Sequence, residues 1–359
     1  MYMATNVSED APLDPKMSPL LLFHYDHFTP VEESDDRNLS DEELPQEDEQ
    51  DDNASDEDEE VDDDETEEEN DGLFLYSIST AQLQGMRLDD LESHFYWVTP
   101  QGWLLMRHHD SRQTFLWNPF TRQRISLPSA QGEFLDKNTT RCLLSHAPTH
   151  PNCVVLVLNY MDSVFWYCSP VAGTQWFEHR YDSRMLQESR NYAVRSMRHL
   201  TTFGGIFYAD MACSFVTLQF SPHPTFMVTP FDVESQNLYS SAPFILLESC
   251  GELFKLTFGQ QFYIDKVLHI RVEKLDIAER AWVKVQTLGD RVFLVNSRYS
   301  GASLSAKEVG LKRNCIYFLK RGDKGLYVYN MERGTTTLHN PGKDLPDDVA
   351  VEILLIPTS

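Results

Sequence analysis

The stretch GWLLMRHHDSRQTFLWNPFTRQRISLP, residues 102–128, carries the clearest fold signal in this chain of 359 residues. Its three short apolar runs lie at 102–106, 113–117 and 124–127. Each run ends at a turn signal: a His-His-Asp-Ser stretch, then Asn118-Pro119, then Pro128. Apolar runs of this length between turn residues are typical of short strands. The stretch therefore predicts an antiparallel meander of three strands.

Similar sets of short apolar runs recur at intervals of roughly 40–50 residues. They lie at 153–159, 163–168 and 175–179; at 201–208, 214–220 and 225–230; at 244–247, 253–257, 267–275 and 282–285; and at 292–296, 315–319, 326–330 and 335–338. One such meander cannot bury both of its faces alone, so neighbouring meanders must stack around an axis. We predict an all-β chain that forms a propeller of about six blades. A pair of β-sandwiches is the alternative fold.

The two ends of the chain complete this prediction. An apolar run at 351–356 is expected to pair with 19–25 or 73–78, which would close the ring and remove two exposed strand edges. The predicted organisation is a disordered N-terminus, an edge strand, a disordered acidic insert and the propeller domain, at 1–18, 19–30, 31–71 and 73–358 respectively.

Residues 31–71 carry nearly all of the net charge. They hold 25 Asp and Glu against one basic residue, Arg37, so they contribute −24 of the net −26 and the remainder carries −2. A segment this acidic and this poor in apolar residues cannot bury enough surface to offset its ordering entropy. A nearly neutral body with an acidic arm suits basic proteins such as histones, and it is a poor match to nucleic acid phosphates.

Three hydroxyl residues of the insert are each followed by three acidic residues; they are Ser40, Ser55 and Thr66. Acidic residues at these positions match an acidophilic kinase of the casein kinase 2 type, and phosphorylation would add further negative charge. Chance matches within an acidic tract explain the pattern equally well.

The most basic local segment lies at 183–199, which is also the only helix-like stretch of the sequence. Its arginines are Arg184, Arg190, Arg195 and Arg198. A solvated loop between blades is one interpretation. A docking site for the acidic arm, or for an acidic partner, is the sharper hypothesis.

The sequence contains no GxSxG, HExxH or Walker-type motif, and we predict no catalytic, cofactor-binding or metal-binding residues. His108, His109 and Asp110 fall in a turn, and adjacent side chains of a strand point to opposite faces, so a solvated turn is favoured over a metal site. Three further aspartates are also expected in turns, where Asp bonds its own backbone; they are Asp162, Asp210 and Asp323.

Cysteine spacing and hydropathy indicate an intracellular protein. The six cysteines form no CxxC pair, so we expect buried, reduced thiols; they are Cys142, Cys153, Cys168, Cys213, Cys250 and Cys315. The longest aliphatic run, 154–158, is far shorter than the roughly 20 residues of a membrane helix. The N-terminus shows neither the basic nor the apolar region of a signal peptide. We expect a cytoplasmic or nuclear protein without membrane contact.

Four motifs occur in an informative order: GWLL at 102–105, WNPFTRQRISLP at 117–128, AWVKVQTLGDRVFLV at 281–295 and NCIYFL at 314–319. Together they resemble the plant F-box-associated β-propeller proteins of the KIB type, over about 97–358. The positions that carry the resemblance are Gly102, Trp103, Asn118, Pro119, Trp282, Gly289, Asp290, Asn314 and Tyr317.

The physical roles of these positions are structural. Asn118-Pro119 restricts the backbone and ends a strand. Gly289 permits a turn that places Asp290 at the start of a strand. The large side chains of Trp103, Trp117 and Trp282 are expected between blades.

The resemblance implies that the protein acts as an adaptor between other proteins. Such proteins commonly join an N-terminal F-box, which binds a Skp-type subunit of a ubiquitin ligase, to a propeller that binds a target protein. Residues 1–96 show no helical stretch of the length an F-box needs, so a Skp-type subunit is a doubtful partner. The tail LPDDVAVEILL, 345–355, mimics the start of an F-box, and we interpret it as a strand. Three hypotheses follow: a target-binding adaptor, a regulator whose acidic arm binds basic proteins, and an enzyme on a propeller scaffold.

Overall fold

The computed structural model describes residues 12–25, 73–86, 88–130, 134–136, 139–182, 197, 199–211, 214–220, 223–231, 243–261, 264–296, 300–320, 323–345 and 349–354. Within these ranges, 25 strands form six sheets. One short helix, α1 (Asp89–Glu92), and one 3-10 helix (Pro15–Met17) accompany them. In this part of the chain no helix is long and apolar enough to cross a membrane. Six sheets around one axis confirm the predicted propeller and exclude the β-sandwich alternative.

The blades are numbered from the N-terminus, and each consists of one sheet. Blade 1 contains β1 (Leu20–Tyr25), β2 (Leu73–Ser77), β3 (Gln82–Met86) and β25 (Val349–Leu354). Blade 2 contains β4 (His94–Val98), β5 (Leu104–His108), β6 (Thr114–Trp117) and β7 (Arg124–Leu127). Blade 3 contains β8 (Thr140–Leu144), β9 (Val155–Asn159), β10 (Val164–Cys168) and β11 (Phe177–Arg180).

Blades 4, 5 and 6 complete the ring. Blade 4 contains β12 (Leu200–Phe203), β13 (Ile206–Asp210), β14 (Ser214–Phe220) and β15 (Pro224–Pro230). Blade 5 contains β16 (Phe244–Ser249), β17 (Glu252–Gln261), β18 (Ile264–Asp276) and β19 (Ala281–Lys284). Blade 6 contains β20 (Arg291–Asn296), β21 (Ser300–Ser305), β22 (Cys315–Leu319), β23 (Leu326–Asn330) and β24 (Thr335–His339).

Blade 6 departs from the simple meander of the other blades. Its strand order is β21-β20-β22-β23-β24, and β20 pairs with β22 in parallel. The chain enters at β20, turns back to the axis as β21, and then crosses over to β22. Six inner strands therefore surround the axis: β25, β4, β8, β12, β16 and β21. From β25 to β21 each packs beside the next, and blade 6 packs against β25 through β20.

The C-terminal strand closes the ring as predicted. β25 pairs antiparallel with β1, from Leu20 opposite Leu354 to Tyr25 opposite Val349. The strand predicted within 19–30 is present as β1, but it lies between β25 and β2, so its predicted edge position is wrong and it belongs to the propeller. Residues 26–30 lie outside the described residues. The stretch 345–355 resembles the start of an F-box in sequence but was predicted to be a strand. It contains the strand β25, which confirms that prediction.

The predicted disordered N-terminus, 1–18, is wrong for residues 12–18. Leu13 is 3% exposed, and its backbone N–H donates to the carbonyl oxygen of Pro119. Residues 1–11 and the acidic insert at 31–71 lie outside the described residues, so their predicted disorder stays a prediction.

The hydrophobic core is divided into six seams, where a seam is the interface between two adjacent blades. Each seam holds its own cluster of buried apolar side chains. Trp117 lies in the seam between blades 1 and 2, Trp103 in seam 2–3, and Trp282 packs against seam 4–5. The prediction that these tryptophans lie between blades is confirmed.

Gly204 and Gly205 join β12 to β13 as a two-residue hairpin turn. Both have positive φ, 56° and 80°, which matches the turn whose twist suits antiparallel strands. The single predicted strand at 201–208 is therefore wrong, because the chain reverses direction at these two glycines.

Candidate recognition surface

Strand direction divides the connections between two faces of the propeller. Arg141, near the start of β8, donates to the carbonyl oxygen of Leu200 at the start of β12. The Gln101 amide, after the end of β4, donates to the carbonyl oxygen of Leu144 at the end of β8, over 3.0 Å. The inner strands thus run the same way. We call the face where they begin the upper face, and the other the lower face.

The longest connections emerge on the upper face. The second strand of a blade runs antiparallel to the inner strand, so connections from second to third strands also lie there. The upper face therefore carries the strand ends that flank three long connections, the ends of β1, β11 and β15 and the starts of β2, β12 and β16. Loops held by a rigid scaffold commonly carry recognition.

A long hairpin adds to the upper face. β16 pairs with β17 only as far as Thr257, and β19 pairs with β18 only from Glu273, so the remainder of the hairpin extends beyond the blade. A register shift near Gly259 bends this extension. The rings of Phe258 and Phe318 lie 5.6 Å apart, which packs the hairpin against blade 6.

A row of charged side chains crosses seam 4–5 below the upper face. Lys255 Nζ lies 2.6 Å from Asp210 Oδ2 and 4.4 Å from the ring centroid of Phe244, in cation–π geometry. Glu273 lies across the strand pair from Lys255 and forms an ion pair of 3.2 Å with Arg271. Asp210 was expected in a turn; it instead ends β13 as one member of a buried ion pair. Its partner is 45 residues away in sequence, so no local signal identified it.

Exposed apolar side chains occupy turns on both faces. On blade 3, Met161 is 48% exposed in the upper turn after β9, and Val171 is 57% exposed in the lower turn after β10. These two residues provide a matched pair for distinguishing the faces.

The lower face carries a stacked pair of histidines. The rings of His146 and His150 are 4.2 Å apart and within 5° of parallel. Burial, and then the neighbouring His150, lower the pKa of His146. His146 also lies against Gly205 of blade 4, where an added Cβ would come within 2.3 Å of its ring.

Of the turn predicted at His108, His109 and Asp110, His109 and Asp110 lie in a turn, whereas His108 is the last residue of β5. The Nδ1 atom of His108 accepts hydrogen bonds from the backbone N–H groups of Asp110 and Ser111, both over 3.2 Å. His94 lies directly across the strand pair, with its ring 5.0 Å from that of His108. Within the described ranges, no three His, Cys, Asp or Glu residues are arranged to hold a metal ion.

The motif residues lie at turns and strand ends, where they support the scaffold. The side-chain oxygen of Asn118 accepts from the backbone N–H groups of Phe120 and Thr121, which forms the tight turn after β6. Asn314 Oδ1 accepts from Leu288 N–H over 2.8 Å and so ties the turn before β20 to the start of β22. The remaining positions have the same character: Gly102 and Gly289 have positive φ, the Asp290 carbonyl accepts from Ala306, and the Tyr317 hydroxyl accepts from Lys312.

Five of the six cysteines are described, and four of these are buried as predicted; Cys213 lies outside the described residues. Cys142, Cys153 and Cys168 are buried together in seam 2–3, and Cys315 is buried in seam 6–1. Burial raises the pKa of Cys153 to about 11 and also raises the pKa of Cys142 and Cys168. Cys250 is exposed in the turn after β16, contrary to prediction.

Two predicted groups fall outside the described residues. One comprises the phosphorylation candidates Ser40, Ser55 and Thr66, and the other the basic residues Arg184, Arg190, Arg195 and Arg198. Asp182 and Met197, which flank most of the basic segment, are described, and the Met197 N–H donates to the Tyr181 hydroxyl over 2.9 Å.

Comparison with known proteins agrees with the fold and the motifs. The KIB1-4 beta-propeller family matches residues 75–330. This chain belongs to that family. An F-box/kelch-repeat protein of Arabidopsis thaliana is 28% identical over 262 residues, covering 69% of this chain and 68% of the relative. An Arabidopsis F-box protein is 21% identical over 267 residues, covering 69% and 67%. This member of the KIB1-4 family is therefore an interaction module related to F-box proteins.

Solved structures align with this chain only at low similarity. A streptogramin B lyase aligns with a TM-score of 0.35 and 7% identity over 80% of this chain and 84% of its own. A regucalcin from Agrobacterium tumefaciens aligns with a TM-score of 0.33 and 9% identity over 79% and 83%.

Proposed function

We propose that this chain is a protein-recognition module without catalytic activity of its own, and that its upper face binds a target protein. The observation that carries the proposal is the placement of the longest connections and the extended hairpin on that one face. The family motifs support this proposal, because their side chains lie in turns and seams and stabilise the scaffold. The connections between strands are then free to vary in sequence and to bind a target.

Matched substitutions on blade 3 test the choice of face. Met161→Glu and Val171→Glu place the same charge on comparably exposed turns of opposite faces. The full chain and both variants would be purified from plant tissue with their bound proteins. We expect Met161→Glu to reduce capture of the target and Val171→Glu to retain it. Loss of the target with Val171→Glu alone would contradict the proposal.

A ubiquitin-ligase role is the specific form of this proposal that the F-box relatives support. In that form the chain, in the cytoplasm or nucleus, delivers its target through a Skp-type subunit. Binding of a purified Skp-type subunit to the full chain, measured by calorimetry, tests the link directly. Absence of binding would leave a recognition module that acts outside the ligase.

The second candidate is a regulator whose acidic arm binds basic proteins. The supporting observation is topological: Tyr25 and Leu73, which flank the arm, both lie at the upper end of blade 1, on the same face as Asp182 and Met197. The arm 26–72 is anchored at both ends, so its reach is set by half of its length. About 23 extended residues span roughly 75 Å, which is enough to reach across this face. The basic segment that contains Arg184 and Arg198 is then its intramolecular binding site in the absence of a partner.

Deleting residues 31–71 separates the two candidates. If the arm is the binding element, histones and other basic proteins are captured by the full chain and lost on deletion, and their capture declines with added salt. If the upper face is the binding element, the deletion retains the target. Phosphorylation at Ser40, Ser55 and Thr66 by an acidophilic kinase would strengthen arm-mediated capture, which mass spectrometry of the purified chain would check.

A further inference from the structure

The six seams differ in how much apolar surface they bury. Five of them hold between 12 and 15 buried apolar side chains among the described residues. In the same part of the chain, seam 4–5 holds five, namely Tyr208, Phe215, Phe231, Leu253 and Leu275. Because apolar burial is the main attractive term between packed elements, this seam is held together least strongly by that term.

Charged groups take the place of apolar ones in seam 4–5. The Asp210 side chain is 1% exposed and that of Lys255 is 16% exposed, so their ion pair is largely removed from water. The cost of desolvating two charges cancels much of their mutual attraction, and well-packed apolar residues are often the more stabilising alternative. The ion pair therefore fixes the alignment of the two blades without adding much to their adhesion.

Several neutral polar groups in the seam are poorly satisfied. Thr217 is 3% exposed and Thr257 is 8% exposed, and both face the opposite blade. Their hydroxyl oxygens, and the indole nitrogen of Trp282, have no hydrogen-bond partner within the described ranges. Each such buried group weakens the closed state, because it could bond water if the seam opened.

The seams next to the closing blade bury more apolar side chains than seam 4–5 does among the described residues. Seam 6–1 buries 14 apolar side chains and seam 1–2 buries 12. The β25–β1 pairing adds six consecutive residue pairs to blade 1. A ring closed by its two chain ends would ordinarily be expected to open at that closure.

We propose that the propeller opens locally at seam 4–5 rather than at its closing blade. The opening separates blades 4 and 5 at the ion pair of Asp210 and Lys255, and it exposes the faces that carry Thr217 and Thr257. It requires less free energy than global unfolding, as local openings of folded proteins do. This inference is independent of the proposed function, because it concerns the ring without any partner.

Native-state thiol labelling tests the proposal, because the chain contains internal controls. Cys315 reports on seam 6–1, and Cys142 reports on seam 2–3. Thr217→Cys replaces an unsatisfied hydroxyl with a thiol of similar size in seam 4–5. The full chain carrying this substitution would be exposed to an alkylating reagent, and labelling at each cysteine would be followed by mass spectrometry.

We expect the thiol introduced at position 217 to be labelled at least about tenfold faster than Cys315 and Cys142. Labelling at position 217 no faster than at Cys315 would overturn the proposal, and so would equal labelling at all three sites, which indicates global unfolding. Thr257→Cys repeats the measurement from the opposite side of the seam if Thr217→Cys does not fold. Adding Asp210→Leu and Lys255→Met should slow labelling at position 217, because apolar contact replaces the ion pair.

Discussion

At the scale of single residues, several turns have the backbone conformation that glycine prefers but are occupied by other residues. Ala81 and Arg280 have φ of 56° and 49°. Arg122 has φ of 59°, but its guanidinium forms an ion pair of 3.2 Å with Asp90 and lies over the ring of Trp117. At Arg122 these contacts offset the strain.

Ala81→Gly and Arg280→Gly are therefore predicted to raise the free energy of unfolding by up to about 1 kcal/mol, because a left-handed conformation costs roughly 1–2 kcal/mol for residues with a Cβ. Urea denaturation measures the change. The matched control is Gly289→Ala, which places a Cβ at φ of 63° and should lower stability. If Ala81→Gly and Arg280→Gly both destabilise the protein, backbone strain is not the controlling factor at these turns.

Lys255 provides a second prediction at this scale. Lys255→Met alone leaves the Asp210 carboxylate buried without its ammonium partner, and we expect a loss of about 3–5 kcal/mol in the free energy of unfolding. The control is Lys274→Met, since Lys274 pairs with Glu252 at an exposed position and should have little effect. Equal effects of the two substitutions in denaturant titrations would show that the ion pair with Asp210 is not important for stability.

At the scale of elements, the strand and turn pattern of 102–128 was sufficient to predict the blades, because hairpin-connected strands are encoded by local sequence. The parallel pairing of β20 with β22 was not predictable in this way, because it depends on a crossover. The pairing of β1 with β25, more than 300 residues away, was predicted from the need to close the ring, but the sequence left 73–78 as an alternative partner. The ion pair across seam 4–5 is equally non-local, so its residues carried no signal in the sequence.

The closing strand gives a prediction for an element. Val351 is 6% exposed in the core of seam 6–1, so Val351→Asp buries a carboxylate in an apolar cluster and should cost several kcal/mol, about 3 or more. Leu338→Asp is the control, because Leu338 lies on β24 and is 56% exposed. Circular dichroism during thermal unfolding compares the two. Similar melting temperatures would mean that β25 is not needed to close the ring.

The histidines predict how stability depends on pH. Burial lowers the pKa of His94, His146 and His179, so the folded state favours their neutral forms. In the unfolded chain these histidines have the ordinary pKa of about 6.5, so they bind protons more readily there than in the folded state. Their contribution to stability is therefore present above that pKa and is lost as the pH falls through it. Denaturant titrations at pH 8 and 5.5 should show lower stability at pH 5.5, with a smaller difference for His146→Gln.

At the scale of the whole molecule, nearly all of the net charge lies in one segment of the chain, and the remainder, which includes the propeller strands, is nearly neutral. The acidic segment at 31–71 holds −24 of the net charge, while the remainder of the chain carries −2. The segment is inserted between two strands of the blade that closes the ring, and it leaves from the face that also receives the other long connections. The family match and the strand topology support the proposal that a six-bladed scaffold presents its upper face to other proteins.

The most direct test of this account is to map where a captured target protects the chain from hydrogen exchange. The full chain would be compared with and without its purified target. We predict slower exchange in peptides of the upper face, namely the turn at 160–163 and the extended hairpin at 258–269. Protection confined to the lower turns at 169–176 and 277–280 would contradict the account.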